Sequence, residues 1–288
     1  TIDAKRFPLW VMTNFKKYKM EPIVSTGEDP CKKDEKNEVL ELRTYQKFIG
    51  AFFDYKSKFV GILLYHGLGS GKTATSLNVY NTLYNYTDAW NVIMLIKASL
   101  KNDPWLKDIR KWLSKEEYQA RYDNIKFVHY DSPYADRDFS NTMATIDSSK
   151  NTLYIIDEAH NFIKNVYGNM TSETGKRAQV IYDMINEEKR HNKNKCKIIL
   201  ISATPAVNNP YELALMFNLL HSGKEDLFPR TEQKFNEIYV AKDGRSINPS
   251  AKNMFQRHIL SLVSYYKGST SDLYAKKNIL EKKIQMSD

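Results

Sequence analysis

The stretch His66-Gly67-Leu68-Gly69-Ser70-Gly71-Lys72-Thr73 constrains this chain more than any other segment. It follows an apolar run, Phe59 to Tyr65, and precedes a segment with a helical pattern, Ala74 to Tyr86. A glycine-rich turn between a strand and a helix aims backbone N–H groups at one point. The helix N-terminus adds partial positive charge there, so the point suits a polyphosphate. Gly67, Leu68, Gly69, Ser70 and Gly71 would form the cradle. Lys72 would reach the β- and γ-phosphates of a nucleotide, and the Thr73 hydroxyl would ligate Mg²⁺. One position departs from the strict pattern: His66 stands where a glycine is usual. The competing reading is a tight glycine turn whose lysine is merely solvated.

Apolar runs and helical patterns alternate from about residue 41 onward. Strands are expected at 59–65, 92–96, 125–130, 152–156 and 197–202, and helices at 73–86, 104–113, 176–190 and 210–220. Alternation of this kind implies βαβ units and a parallel sheet. The near-continuously apolar strands imply helices on both faces. Asp103 before Pro104 and Asn209 before Pro210 each place a capping side chain ahead of a first-turn proline.

Two further strand ends carry polar clusters. Leu153-Tyr154-Ile155-Ile156 ends in Asp157-Glu158-Ala159-His160. Beside a phosphate loop, Asp157 would hold Mg²⁺. Glu158 would orient and deprotonate an attacking water, and His160 would couple the nucleotide site to a neighbouring element. An ordinary solvated loop could also begin with two acids and a histidine. The run Lys197 to Ile201 ends in Ser202-Ala203-Thr204-Pro205. Ser202 and Thr204 could relay contacts from the acidic motif, or could simply cap a turn. In an open parallel sheet the carboxyl ends of the strands share one edge. Lys72-Thr73, Asp157-Glu158 and Ser202-Thr204 should therefore converge on one nucleotide.

The 288 residues include 43 Lys plus Arg against 34 Asp plus Glu, a net charge of +9. That excess favours polyanionic partners. No apolar run approaches the roughly 18 residues that cross a bilayer, and no secretory signal opens the chain; an intracellular site is expected. Two cysteines, Cys31 and Cys196, provide neither a disulfide framework nor metal-ligand spacing. The basic cluster at 187–197 reads as a solvated helix end with phosphate contact as the alternative. Lys16, Lys17 and Lys19 lie among Trp10, Phe15 and Tyr18. Such a mixture can hold a single strand, though an extension packed on the lobe is the preferred reading.

With these motifs assembled, the chain resembles the first RecA-like lobe of superfamily 2 helicases and translocases, over about residues 41–268. Leu42-Arg43-Thr44-Tyr45-Gln46 is similar to the motif in which a glutamine reads adenine, which Gln46 would do. Lys97-Ala98-Ser99-Leu100, followed by Trp105 and Trp112, resembles the motif that touches a nucleic-acid backbone, implying contacts from Lys97, Ser99 and Lys101. His129-Tyr130-Asp131 falls where a further motif would lie. DEAHNFIKN (157–165) and SATPAVNNPYELALMFNLL (202–220) resemble the Swi/Snf-like branch. The His-Gly before the loop and LVSYYKG (262–268) resemble early-transcription-factor ATPases and nucleoside triphosphatase I of large DNA viruses.

The resemblance implies an α/β, RecA-like lobe with a mostly parallel central sheet, acting in a DEAH-box, nucleic-acid-dependent ATPase. DNA is expected before RNA as the polymer. Viral RNA polymerase or transcription factors are candidate partners, in host cytoplasm or virion. The organisation expected is an N-terminal extension and linker (1–40), the ATP-binding lobe (41–222), and a C-terminal segment (223–288) leading toward a second RecA-like lobe. That lobe would supply a charge-stabilising arginine; the natural protein is expected to be longer. Two other classes remain at this point: a recruitment module that binds nucleotide or partners without turnover, and a metabolic P-loop kinase.

Overall fold

The computed structural model describes residues 6–20, 41–113, 115–172, 175–192, 195–205, 208–221 and 227–268. The stretches 21–40 and 269–288, read above as linker and connection, lie outside them. Helices α1 (Arg6–Asn14) and α2 (Thr44–Phe52) lead into β1 (Gly61–His66), α3 (Lys72–Tyr86) and β2 (Trp90–Ile96). Then come α4 (Lys107–Trp112), α5 (Lys115–Tyr122), β3 (Ile125–His129), α6 (Ala135–Thr145) and β4 (Asn151–Ile156). They are followed by α7 (Ala159–Thr171), α8 (Arg177–His191), β5 (Cys196–Ser202), α9 (Tyr211–Leu220), α10 (Glu232–Tyr239), α11 (Lys252–Ile259) and β6 (Val263–Tyr266).

The strands form one sheet in the order β3-β2-β4-β5-β1-β6. All five pairings are parallel, with Ile155 opposite Ile199 and Leu63 opposite Leu200. Successive side chains enter opposite layers, as the two-residue strand period requires. Ile62, Leu64, Val92, Met94, Leu153, Ile155 and Ile199 pack with Ile49 and Phe52 of α2, Leu77 and Tyr80 of α3, and Ile109 of α4. Leu63, Ile93, Leu95, Tyr154, Ile156 and Leu200 pack with Phe139 of α6, Phe162 of α7, Ile181 of α8 and Leu215 of α9. Each fully buried Ile or Leu contributes roughly 1.5–3 kcal/mol. A sheet covered on both faces cannot spare positions for polar residues, which is why the strands read as unbroken apolar runs.

Five details differ from, or sharpen, the sequence reading. The expected helix over 104–113 begins only at Lys107, after a wide turn, Lys101–Leu106, in which Asp103 is extended (φ −136°, ψ 119°). The Asp103 carboxylate meets Lys107 Nζ at 3.4 Å rather than capping a helix at Pro104. Asn209 does cap: its Oδ1 accepts from the Tyr211 N–H at 2.8 Å. The basic cluster at 187–197 is partly internal. Lys189 Nζ donates to the Asn218 and Leu219 carbonyls at the end of α9, and Lys197 Nζ donates to the Ser57 and Phe59 carbonyls. Burial pulls both ammonium groups down to about 8. At the N-terminal side, Phe7, Trp10 and Phe15 pack against Phe48, Phe52 and Phe59, so this extension lies on the lobe. Finally, residues 263–266, expected in a segment beyond the lobe, add a sixth strand beside β1.

Candidate functional site

Because the sheet is parallel, the loops after β1, β2, β3, β4 and β5 emerge at one rim. The loop after β1 is residues 67–71. Gly69 (φ 68°) and Gly71 (φ 74°) take left-handed conformations that only glycine adopts without strain. A Cβ on Gly71 would also come within 2.7 Å of Gln46 Nε2. Leu68 is exposed and Ser70 buried. Lys72 opens α3, and its Nζ donates to the His66 and Gly67 carbonyls at 3.1 Å each. Thr73 lies half-buried in the first turn.

Two walls hold this loop. Gln46, in the first turn of α2, accepts from the Arg43 N–H at 2.7 Å and donates from Nε2 to the Gly71 carbonyl at 3.0 Å. Its neighbour Tyr45 donates to the Ser70 carbonyl and stacks on Tyr266 with ring centroids 4.0 Å apart. Strand β6 makes the second wall. The Gly67 N–H donates to the Tyr266 carbonyl at 2.9 Å, and the Lys267 carbonyl lies 2.6 Å from where a Gly67 Cβ would stand. His66 is wholly buried, and its Nε2 meets Ser264 Oγ at 2.8 Å. Burial first, and the Lys72 charge second, push its imidazole down to about 4. A neutral ring bonded to β6 explains the residue that breaks the strict glycine pattern.

The acidic motif occupies the loop after β4. The Asp157 carboxylate is fixed at both oxygens: Oδ1 accepts from the Glu158 N–H and Oδ2 from the Trp105 indole N–H, each at 2.8 Å. Burial raises its proton affinity, while the Trp105 and Glu158 hydrogen bonds and the Lys72 charge oppose that rise. The loop that carries Lys72 and the loop that carries Asp157 thus lie at the same rim. Glu158 precedes α7 with left-handed backbone (φ 47°, ψ 48°). Such a conformation costs a non-glycine residue about 1–3 kcal/mol and persists only where its surroundings impose it. The Tyr130 hydroxyl does so from the β3 loop, donating to the Asp157 carbonyl at 3.2 Å, and the Asn161 N–H bonds the Glu158 carbonyl at 2.8 Å.

His160 joins the second and third motifs. Its Nδ1 meets Ser202 Oγ at 2.9 Å and Glu158 Oε2 at 3.3 Å, and its Nε2 meets Asn161 Nδ2 at 3.0 Å. The Thr204 N–H donates to Ser202 Oγ at 3.1 Å. Burial lowers the His160 imidazole, Glu158 and Asp157 pull the other way, and the Lys97 charge adds to the lowering. Lys97 follows the end of β2, which lies beside β4 in the sheet. Ser99 is exposed, and Lys101 Nζ sits 5.2 Å over the Phe127 ring at the β3 edge. Trp105, Tyr130, Asn161 and Tyr266 were not assigned these contacts from sequence. All four stand in recognised motifs, but which groups Trp105, Tyr130 and Tyr266 would meet depends on strand order.

Residues 37–207, more than half of the chain, match the family described as "Type III restriction enzyme, res subunit". A protein of Acanthamoeba polyphaga mimivirus provisionally named an ATP-dependent RNA helicase is 51% identical over 296 residues, covering 99% of this chain and 35% of that protein. Nucleoside triphosphatase I of Melanoplus sanguinipes entomopoxvirus is 31% identical, covering 85% of this chain and 35% of its own length. The chain thus spans about a third of these relatives. Among solved structures, the Sulfolobus solfataricus SWI2/SNF2 ATPase core in complex with dsDNA superposes with a TM-score of 0.53 at 18% identity, over 79% of this chain and 45% of that one. The same core without DNA gives 0.52 at 16% identity, over 82% and 45%. These superpositions establish the RecA-like fold. The family match, the viral relatives and the motif-bearing rim converge: the chain belongs to the family of the type III restriction enzyme res subunit, as a superfamily 2 helicase domain with a RecA-like fold related to viral helicases and nucleoside triphosphatase I.

Proposed function

We propose that this chain is the ATP-binding lobe of a nucleic-acid-dependent ATPase that tracks along a polymer or parts its strands. The observation that carries the reading is that one parallel sheet brings Lys72, after β1, and Asp157, after β4, to the same rim. The loop also fits a polyphosphate. The Ser70 hydroxyl is buried and has no hydrogen-bond partner among the described residues, and two left-handed glycines turn the backbone around it. Asp157 and Thr73 offer the hard oxygen donors that Mg²⁺ prefers. No group of three or more His, Cys, Asp or Glu among the described residues could hold a metal ion alone. Phosphate oxygens of the nucleotide would complete the shell. When bound, Mg²⁺ would neutralise charge on the β- and γ-phosphate oxygens.

The chain's own residues then divide the work. Lys72 would exchange two neutral carbonyl acceptors for charged phosphate oxygens, which bind an ammonium more strongly. Glu158 would orient the attacking water and take its proton. Gln46 would select adenine: its contacts to Arg43 and Gly71 use one N–H and one lone pair, and its amide carries two of each. His160, Ser202 and Thr204 would couple the nucleotide to movement, and Lys97, Ser99 and Lys101 would grip a phosphate backbone. A second RecA-like lobe would supply the arginine that stabilises the transferring phosphoryl group. The DEAH-box assignment, a viral transcription role with RNA polymerase or transcription factors as partners, and a site in host cytoplasm or virion belong to the same proposal. One similar protein is named an RNA helicase and another is solved in complex with double-stranded DNA; we take DNA as the first polymer to test.

The experiment is ATP hydrolysis by the longest natural form, compared without polymer and with single-stranded DNA, duplex DNA and RNA. Faster turnover with a polymer is expected, with little turnover by these 288 residues alone. An equal rate with and without every polymer would reject the translocase reading in favour of a recruitment module.

A further inference from the structure

Trp105 makes a contact that packing alone does not require. The residue is wholly buried, and its single polar atom, the indole N–H, points at Asp157 Oδ2 at 2.8 Å. A buried indole generally finds an acceptor, yet this fold tolerates one that does not. Trp90, in the same apolar layer, is equally enclosed, and its N–H has no hydrogen-bond partner among the described residues. The Trp105 acceptor is the one carboxylate of the rim whose other oxygen is held by the Glu158 backbone. Together the two donors fix the carboxylate plane.

Trp105 also ends the segment that leaves β2. That segment turns its polar side outward, with Ser99 exposed and the Ala98 N–H donating to Asp131 Oδ1 at 3.1 Å, and it turns the indole inward. Between them lies the non-helical break at Asp103. A polyanion drawn to Lys97, Ser99 and Lys101 would move the outer side, and the indole is the part that touches the acid.

We propose that Trp105 is a positioning residue that orients the Asp157 carboxylate for its cation and carries the state of segment 97–106 to it. The inference rests on reading Asp157 as the cation-holding acid of an ATP site. The test uses the full chain with Trp105→Phe, and Trp90→Phe as its control. Binding of a fluorescent ADP analogue is titrated with and without Mg²⁺, and with and without a duplex DNA oligonucleotide. Partners that orient a metal ligand typically change metal affinity about 10–100-fold when removed. Trp105→Phe should therefore weaken the Mg²⁺-dependent component about ten-fold, leave the Mg²⁺-independent component unchanged, and erase the effect of DNA on nucleotide affinity while DNA still binds. Trp90→Phe should do none of this. Identical behaviour of the two variants would overturn the positioning role and leave the ATPase reading standing. Absence of any Mg²⁺-dependent binding by the unaltered chain would overturn both. A measurement on the unaltered chain guards against misfolding of the variant: the Trp105 indole N–H resonance should move when DNA is added without nucleotide. A resonance that stays put would refute the coupling.

Discussion

Lys72 holds two loop carbonyls and faces the Asp157 charge, so its replacement removes the charge on which the proposed site turns. Lys72→Ala in the longest natural form should cut ATP turnover on the order of 10²-fold or more, read by phosphate release, with the melting temperature little changed. Gly71 is held differently, by its φ of 74° and by the Gln46 amide beside it. Gly71→Ala should cost about 1–2 kcal/mol for left-handed backbone, seen as a lower urea midpoint, and should weaken nucleotide binding as Gln46 is pushed aside. His66 gives a pH signature. Its imidazole is held down to about 4 in the fold, against an ordinary 6.5. Between those values the unfolded chain binds a proton that the native chain refuses, so stability is full above about 6.5 and falls as pH drops toward about 4, by about 3 kcal/mol. Urea midpoints across that window should flatten in His66→Asn.

Among the elements, those buried on both sides were the most legible. The five strands expected from apolar runs were found within two residues of their expected ends, because a strand covered by helices on both faces has no other composition open to it. Helix α3 was equally plain behind its glycine turn. Strand β6 was not, since Val263-Ser264-Tyr265-Tyr266 is short and only half-buried, and what makes it a strand is pairing with β1 nearly 200 residues earlier in the chain. The wide turn at Lys101–Leu106 departs from the sequence reading because a proline after an aspartate reads locally as a helix start, whereas the turn brings the Trp105 indole N–H to Asp157. The placement of Lys72, Asp157 and Ser202 followed from local strand-and-turn chemistry; the contacts of Trp105, Tyr130 and Tyr266 with them required the strand order. The segment after β2 also carries a prediction. Lys101, over Phe127 at the sheet edge, is read as one phosphate contact. Lys101→Ala should weaken binding to every DNA sequence alike and lower the slope of log affinity against log salt by about one.

The described residues are built on one sheet with the proposed site along a single rim, and that arrangement explains how motifs scattered from Gln46 to Thr204 come together. The net charge of +9 spreads over a surface that also hides some of its lysines, as Lys189 and Lys197 show, so total charge overstates the basic area open to a polymer. The family match ends at residue 207, but the sheet does not. Removing residues 263–268 should leave β1 with a bare hydrogen-bonding edge and should lower nucleotide affinity, detected by light scattering and by analogue titration. Tyr266 and Lys267 brace the backbone around Gly67, and the polypeptide runs onward from that brace. Any tension placed on the chain beyond residue 268 would therefore reach the glycine turn without an intermediary, which would make the exit of this lobe a lever on the hold of the nucleotide proposed to bind there.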